Sequence, residues 1–218
     1  MILLAIDEII NRGPADFNAN VVCDKLEIKH PMVNYHFGNR DGLLAEATVY
    51  VHDAWTQNLF EKVISAPQSP KKRLRAYVES EVEWAKRMGG MSVLIHYPIS
   101  SRGSQEIVAE KYADHMKRNF EFNLATLTHL IIDIRNGKST PIDFDLSNYP
   151  RVELVLRHPK AFLAATQIAW ATHGLASWSS GDHIATRGLE EPTKLPSFTT
   201  KFAVDEYIKT IIKIAEGI

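Results

Sequence analysis

The chain has 218 residues, with 25 basic and 26 acidic side chains and a net charge of −1 at pH 7. Hydrophobic residues make up 45% of it and charged residues 23%, a composition that excludes a disordered chain and favours a soluble globular protein. The balanced charge excludes a global attraction to nucleic acid or to an anionic membrane, so any such surface must be local.

Helical periodicity dominates the chain, and no segment alternates convincingly at the two-residue period of a β-strand. The first helix ends at Gly13-Pro14, and Asn18 and Asn39 are suitable N-caps for the second and fourth helices. The apolar spacing predicts helices over residues 2–12, 19–26, 31–37, 40–64, 71–88, 105–135, 159–180 and 202–216. The sequence therefore predicts an all-α fold, with three short helices followed by a bundle of longer ones.

The turn between the second and third helices lies at Glu27-Ile28-Lys29. Three short helices with such a turn are the layout of a helix-turn-helix. The third helix is too short to be stable alone, which suits an element that its neighbours hold and present to a groove. Val33 and Phe37 are predicted to point inward. The side chains predicted to be exposed and able to reach base edges or phosphates are His30, Met32, Asn34 and Tyr35.

These residues carry a resemblance to the tetracycline-repressor (TetR) family. The strongest likeness is Val33-Asn34-Tyr35-His36-Phe37-Gly38-Asn39-Arg40-Asp41-Gly42-Leu43-Leu44, which resembles that family's recognition-helix exit and the cap of its fourth helix. Residues 2–47 as a whole resemble its DNA-binding domain, and the rest of the chain resembles the family only in layout. The resemblance implies a helix-turn-helix DNA-binding domain at 1–47 and a helical ligand-binding and dimerisation domain at 48–218.

The resemblance also implies roles for particular side chains. Asn18 would face a phosphate at the start of the second helix, and His36 and Arg40 would contact backbone phosphate. The stretch that faces the groove would consist of Lys29, His30, Met32, Asn34 and Tyr35. An effector pocket in the family's layout lies between the helices of the body, and the candidate ligand-binding residues there are Trp55, Trp84, His96 and Phe120.

The chain departs from the family's pattern at several positions. Glu27 stands where the family usually has glycine, so Glu27 must accept a positive φ or the turn must differ. Lys29 replaces the usual Ser or Thr cap, and Asn34 replaces a commonly aromatic residue. The basic arm that often precedes the first helix is missing, so the start codon is expected upstream. Residues 1–50 contain four basic and seven acidic side chains, an unusual balance for a DNA-binding module.

No segment predicts a membrane span or a secretory signal. Residues 161–178 lack Asp, Glu, Lys and Arg, but polar side chains interrupt them and they are slightly short for a bilayer, which favours a bundle helix. Cys23 is the one cysteine in the sequence, so an internal disulfide and a cysteine-based metal cluster are excluded. A cytoplasmic location fits best.

Catalytic motifs are also missing from the sequence. The nine histidines never fall three or four residues apart, so none forms a helical pair of metal ligands. Glu79, Glu81 and Glu83 lie close in sequence but on different helix faces, and His173 is interpreted as a packed structural histidine. We therefore expect no enzyme activity, no cofactor and no metal.

The leading hypothesis is a homodimeric TetR-like repressor that binds a double-stranded DNA operator. Its last two helices would pair with their symmetry mates through the uncharged residues 161–178, of which Ala169 is one, and the stripe Phe202, Ile208, Ile211 and Ile212. A small-molecule effector would change the separation of the recognition helices and release the DNA. Two alternatives stay open. One is a helical small-molecule-binding protein without DNA binding, which the excess of acidic side chains in residues 1–50 favours. The other is a helical enzyme, which a copurifying metal or cofactor would favour.

Overall fold

A computed structural model describes residues 1–12, 16–88, 101–141, 153, 156–185 and 200–217, with side chains omitted at 178–185. These ranges form helices and their connections, so the predicted all-α fold is confirmed. The helices are α1 (Ile2–Arg12), α2 (Ala19–Lys25), α3 (Pro31–Phe37), α4 (Arg40–Ser65), α5 (Pro70–Met88), α6 (Arg102–Asn136), α7 (Pro159–Ala185) and α8 (Lys201–Glu216).

Side-chain caps fix where several helices begin. The Asn18 side chain accepts from the backbone N–H of Asn20 at 2.9 Å, and Asn39 Oδ1 accepts from the N–H of Gly42 at 2.8 Å. Both caps were predicted from the sequence. Ser101 caps α6 in the same way, because its hydroxyl accepts from the Ser104 N–H at 3.2 Å. Such caps satisfy N–H groups that have no partner inside the helix.

The two halves of the molecule share α4. The domain boundary expected between residues 47 and 48 falls inside this continuous helix. Near its start, where Leu43 and Leu44 are fully buried, α4 packs against α1 and α3. Further along, where Trp55 and Leu59 are buried, it packs against α5 and α6. One apolar core therefore continues from the three short helices into the body.

The body consists of α5 to α8. Both α5 and α6 pack against α7, and α8 contacts all three of these helices. The largest fully buried side chains of the body are Tyr77, Phe122, Leu74, Leu127, Leu130, Ile131 and Ile168. Each contributes about 1.5–3 kcal/mol by leaving water. Among the described helices, none combines the length and the apolar character that a bilayer crossing requires.

The outer face of α7 and the start of α8 leave large apolar side chains in solvent. Leu163 is 60% exposed, Trp170 69% and Phe202 75%. Large apolar groups that lie together on a surface commonly mark a place where another molecule packs.

The assignment of three residues to a dimer interface in the sequence analysis is wrong. Ile208 and Ile211 are buried inside the chain, and so is Ala169. The reason is that α8 turns its regular apolar side toward α5, α6 and α7, so these residues complete the chain's own core. The sequence pattern marked a buried face correctly but could not show which partner covers it.

Gly42 lies where the end of α3 meets the start of α4. A Cβ at this position would lie 1.8 Å from the carbonyl oxygen of Phe37 and 2.9 Å from its carbonyl carbon. These are backbone atoms, which cannot move away without moving α3. Glycine is therefore required for the close approach of the two helices, and this approach sets the orientation of α3.

We expect Gly42→Ala to lower the free energy of unfolding by about 3 kcal/mol or more, because the clash forces α3 or α4 to shift. Gly137→Ala is the matched control. Gly137 has a φ of 62° but no atom within 4 Å of an added Cβ, so this variant loses only the backbone cost of about 1 kcal/mol. Urea denaturation followed by circular dichroism measures both, and equal losses would contradict the steric argument.

Candidate nucleic-acid interface and buried polar core

The turn between α2 and α3 has the strained geometry that was one of the two alternatives expected at Glu27. Glu27 has a φ of 55° and is the one non-glycine residue with positive φ in the part of the chain that the structure describes. The backbone N–H groups of Leu26 and Ile28 both donate to the Cys23 carbonyl oxygen at 3.1 Å. These hydrogen bonds hold the turn closed although its residue type is unfavourable.

The third helix presents one side to solvent and one to the core. On its inner side Val33 is fully buried and Phe37 is half-buried. Tyr35 is 81% exposed, and its ring contacts that of His36 edge-on with centroids 5.0 Å apart. The other predicted DNA-contacting residues that the structure places in solvent around this helix are Asn18, Lys29, His30, Met32, Asn34 and His36.

Arg40 forms hydrogen bonds with other residues of the chain. Its Nε and Nη2 donate to the Phe17 carbonyl oxygen at 3.2 and 3.1 Å, and Nη1 lies 3.3 Å from Asp41 Oδ1. The guanidinium also lies 5.3 Å from the centroid of the Phe17 ring. The expected phosphate contact therefore competes with contacts that hold the start of α4 against the connection before α2.

Asp41 continues these contacts into the body. Its Oδ1 accepts a 2.5 Å hydrogen bond from the hydroxyl of Ser101, the residue that caps α6. A Cβ at Gly103 would lie 2.4 Å from Asp41 Oδ2, so glycine there lets the carboxylate approach the first turn of α6. The positive end of the helix dipole favours a carboxylate at this place. Asp41 thus joins the helix-turn-helix module (residues 1–47, called the reader below) to α6.

Ion pairs occupy most of the positive charge of the reader. Lys25 lies 3.0 Å from Asp7, Arg12 lies 2.9 Å from Glu8, and Arg40 pairs with Asp41. Among the described residues of the first fifty, the remaining basic side chain is the exposed Lys29, which forms no ion pair. The electrostatic attraction to DNA that the reader offers is therefore small.

Among the predicted ligand-binding residues that the structure describes, Trp55, Trp84 and Phe120 do not line a common cavity. His96 lies outside the described residues. Phe120 is 50% exposed on α6 and lines neither of the two cavities described below, so its assignment to a ligand pocket stays a prediction. Phe122, two residues further along α6, is fully buried. Trp55 and Trp84 are both buried, but they contact different groups.

A cavity of about 420 Å³ separates α4 from α6. Phe60 and Phe122 line it with ring centroids 4.3 Å apart. Polar groups line it as well: Asp53 Oδ1 lies 2.6 Å from His115 Nε2 and accepts from the Asn119 side chain at 2.9 Å. This cavity can hold a small molecule that is largely apolar.

Trp84 belongs to a second cavity, of about 340 Å³, where α1 meets α4 and α5. The Arg87 guanidinium lies 4.6 Å from the centroid of the Trp84 ring, and both side chains line the cavity. The Trp84 Nε1–H is buried and has no hydrogen-bond partner among the described residues. This tryptophan therefore lies at the junction of the reader and the body.

The most unusual chemistry lies in the middle of the body, around Glu81. This glutamate of α5 is 1% exposed. Trp55 Nε1 of α4 donates to its Oε1 at 3.0 Å, and His173 Nε2 of α7 lies 3.8 Å from the same oxygen. The Trp55 ring lies against two imidazoles, with centroids 5.3 Å from His52 and 6.1 Å from His173.

Burial shifts the titration of all three ionisable groups toward their neutral forms. Burial raises the pKa of the Glu81 carboxyl to about 8, although the hydrogen bond from Trp55 opposes the shift. Burial also lowers the pKa of His52 and of His173 to about 4. At pH 7 the cluster therefore consists of a protonated acid and two neutral imidazoles.

Two tyrosines extend this buried polar cluster. Tyr77 donates to Asn123 Oδ1 at 3.0 Å, and the hydroxyls of Tyr207 and Thr172 lie 3.0 Å apart. Burial, assisted by the neighbouring Glu81 carboxylate, raises the pKa of Tyr77 well above its usual value and that of Tyr207 to about 12. Both tyrosines thus remain neutral hydroxyls at every pH near neutrality.

Sequence reasoning missed Glu81 as a site residue. A signal was present, because Glu81 follows the buried Leu74, Tyr77 and Val78 at helical spacing and so shares their face of α5. A carboxylate on an apolar stripe is unusual enough to mark a site. His173 was interpreted as a packed histidine, and its burial agrees with that interpretation.

The described chain thus combines a helix-turn-helix module with a helical body that has a polar core. Two solved structures share this architecture. A bacterial regulatory protein in the tetR family from Rhodococcus RHA1 is 13% identical, with a TM-score of 0.57 over 98% of this chain and 94% of that chain. A transcriptional regulator of the TetR/AcrR family from Thermobifida fusca YX-ER1 is 16% identical, with a TM-score of 0.55 over 99% and 94%.

No protein-family model and no curated protein sequence matches the chain. The structural likeness nevertheless extends over nearly the whole length of all three chains. The chain has the fold of TetR-family regulators. The fold implied by the resemblance of residues 33–44 is therefore confirmed.

The raised pKa of the buried Glu81 should be visible in how the stability of the protein depends on pH. Because the pKa of Glu81 is about 8 in the folded chain and near 4.5 when unfolded, the folded state holds the proton more tightly. Stability is therefore lost as the pH rises toward 8, at about 1.4 kcal/mol per pH unit. We expect Glu81→Gln to remove this loss, so that its advantage over the parent grows by about 2–3 kcal/mol from pH 6 to pH 9.

Chemical denaturation at both pH values measures this difference. Glu83→Gln is the matched control, because Glu83 lies on the same helix with an exposed side chain. Burial lowers the pKa of His52 and His173 to about 4, so their stabilising contribution is present above pH 6.5 and begins to be lost below it. Both histidines are present in the parent and in Glu81→Gln, so this loss cancels when the two proteins are compared. Parallel pH profiles for the parent and Glu81→Gln would refute the assignment.

Proposed function

We propose that the protein is a homodimeric, DNA-binding transcriptional regulator that acts in the cytoplasm as a repressor and is released from its operator by a small-molecule effector. The observation that supports this most is the exposed side of α3, which the buried Val33 and the required Gly42 hold in a fixed orientation. A helix presented in this way fits the major groove of DNA. The TetR-family fold supports the same function.

Within this proposal some side chains of the reader contact DNA bases and others contact backbone phosphates. Lys29, His30, Met32, Asn34 and Tyr35 contact the groove. Asn18 and His36 lie beside the DNA backbone, and Arg40 orients the start of α4 and reaches phosphate only by giving up part of its contact with Phe17. Phosphate contacts set the position of the reader, and base contacts give specificity.

The exposed apolar side chains of α7 and α8 support a dimer. Leu163, Trp170 and Phe202 provide a surface that a second copy would cover in a four-helix arrangement. The effector would bind in the body, where Trp55 and the polar cluster lie. Because α4 belongs to both the reader and the body, a change in the body would alter the separation of the two α3 helices.

A second candidate is a small-molecule-binding protein of the same fold that does not bind DNA. The observation that favours it is the pairing of Lys25, Arg12 and Arg40 with neighbouring carboxylates. Lys29 alone on each subunit would give a slope of log affinity against log salt of about −2 for a dimer. A slope near −5 would mean that Lys25 and Arg40 leave their carboxylates to contact DNA.

The reader is tested by selecting duplexes from random DNA with the purified full chain and then titrating the selected duplex. We expect Tyr35→Ala to weaken binding about tenfold or more, because a base or phosphate contact of the exposed ring is lost. Tyr50→Ala is the matched control, since Tyr50 is an exposed tyrosine of α4. Failure of a verified dimer to select any duplex at low salt would favour the second candidate.

Trp170→Glu should convert the dimer into a folded monomer, because it places a charge in the apolar interface. Light scattering measures the mass and circular dichroism the helical content. Phe120→Glu, on an exposed position of α6, should leave the mass unchanged. A dimer that tolerates Trp170→Glu would show that another surface forms the interface.

A further inference from the structure

The cavity where α1 meets α4 and α5 is largely apolar and reaches the surface. Its inner wall consists of Ile6, Val51 and Trp84, which are all buried. Its other apolar or aromatic side chains are half-buried or exposed, and they are Leu3, Ile10, Tyr50, Ala54 and Met88. The volume of about 340 Å³ falls within the range of natural ligand pockets, about 300–1,000 Å³. Helix α1 of the reader supplies one side of this cavity, and α5 of the body supplies another.

Arg87 places an uncompensated positive charge at this cavity. Its guanidinium lies 4.6 Å from the centroid of the Trp84 ring, and its side chain is exposed. In the part of the chain that the structure describes, Arg87 pairs with no carboxylate. An arginine held over an aromatic face can still direct several N–H groups at an anion, and a carboxylate matches their geometry.

Asp7 also lines the cavity, but its charge is already balanced. Lys25 Nζ lies 3.0 Å from Asp7 Oδ2, and Asn11 Nδ2 donates to Asp7 Oδ1 at 3.2 Å. Both carboxylate oxygens therefore have partners from the protein itself. The charge that remains for a ligand is the positive charge of Arg87, so the cavity favours an acidic ligand over a basic one.

We propose that this cavity is a binding site for an amphipathic organic anion, whose acidic group binds Arg87 and whose apolar body lies among Ile6, Ala54 and Met88. The ligand class comprises medium-chain fatty acids and aliphatic carboxylates of similar size. The site is separate from the polar core of the body, since its lining residues do not include Glu81 or the groups around it. It is complete within one chain.

A ligand at this place contacts the reader and the body at the same time. Helix α1 packs against α4, and the cavity lies between α1 and the last turns of α5. An occupant fills this space and buries apolar surface on both sides. Because a ligand stabilises the conformation to which it binds, the anion holds α1, and with it the reader, against the body.

Calorimetric titration of the full-length protein at pH 7, below the micelle concentration of each ligand, compares octanoate, octanamide and octylamine. These ligands have the same apolar chain and different head groups. We expect one octanoate per chain, bound about tenfold or more tightly than octanamide, because the carboxylate forms charge-assisted hydrogen bonds with Arg87. Octylamine, a cation at this pH, should bind more weakly than octanamide. Equal binding of octanoate and octanamide, tightest binding of octylamine, or no binding of octanoate would overturn the proposal.

Two variants assign the binding to this cavity. Arg87→Met removes the charge and keeps an apolar side chain, so it should abolish the preference for octanoate over octanamide. Lys72→Met is the matched control, because Lys72 is an exposed cation of the same helix outside the cavity, and it should bind like the parent. Ala54→Leu should weaken the binding of octanoate and octanamide alike, because the larger side chain occupies the cavity. An unchanged preference in Arg87→Met would refute the assignment.

Methyl NMR spectra of the parent with isotope-labelled methionine locate the ligand even if a variant does not fold. Met88 lines the cavity, whereas Met116 of α6 does not. Octanoate should therefore shift the methyl signal of Met88, leave that of Met116 in place, and slow amide hydrogen exchange in α1. A shift of the Met116 signal without one at Met88 would show that the acid binds elsewhere and would reject this site.

Discussion

The burial of α4 along both halves of its length is the constraint on which the other features depend. Its first turns are covered by α1 and α3, and its later turns by α5 and α6. Leu43 near one end and Val63 near the other are both fully buried. Because close-packed side chains resist independent movement, α4 cannot tilt within the body without carrying the three short helices with it. The orientation of α3 is therefore a property of the whole chain.

The polar core of the body opposes the stability that this packing provides. Thr126 Oγ1 and Trp84 Nε1 are buried without hydrogen-bond partners among the described residues, and Glu81 accepts from a single donor. An unsatisfied buried polar group costs about 1–3 kcal/mol. Aliphatic residues at these positions would give a more stable bundle. Polar groups that weaken a core commonly belong to a functional site.

The sequence predicted what depends on local chemistry. Apolar spacing predicted the helices, and Asn18 and Asn39 predicted two helix starts. The positive φ of Glu27 was one of the two alternatives that its place in the turn left open. The sequence failed where the outcome depends on which helix covers a face. Ile208 and Phe120 both lie on apolar stripes, but one is buried in the chain's own core and the other is exposed. The encounter of Trp55 with Glu81, 26 residues apart on different helices, leaves no trace in a local pattern.

The hydrogen bond between Ser101 and Asp41 connects the far end of the long helix α6 to the start of α4. With 35 residues at 1.5 Å per residue, α6 is roughly 50 Å long, and Asn123 lies roughly 30 Å from its start. If α6 tilted by about 4° around Asn123, Ser101 would move by about 2 Å, because it lies roughly 30 Å from the pivot at 1.5 Å of rise per residue. That distance exceeds what the 2.5 Å hydrogen bond to Asp41 can stretch. A small tilt of α6 would therefore be enough to break this hydrogen bond to the start of α4.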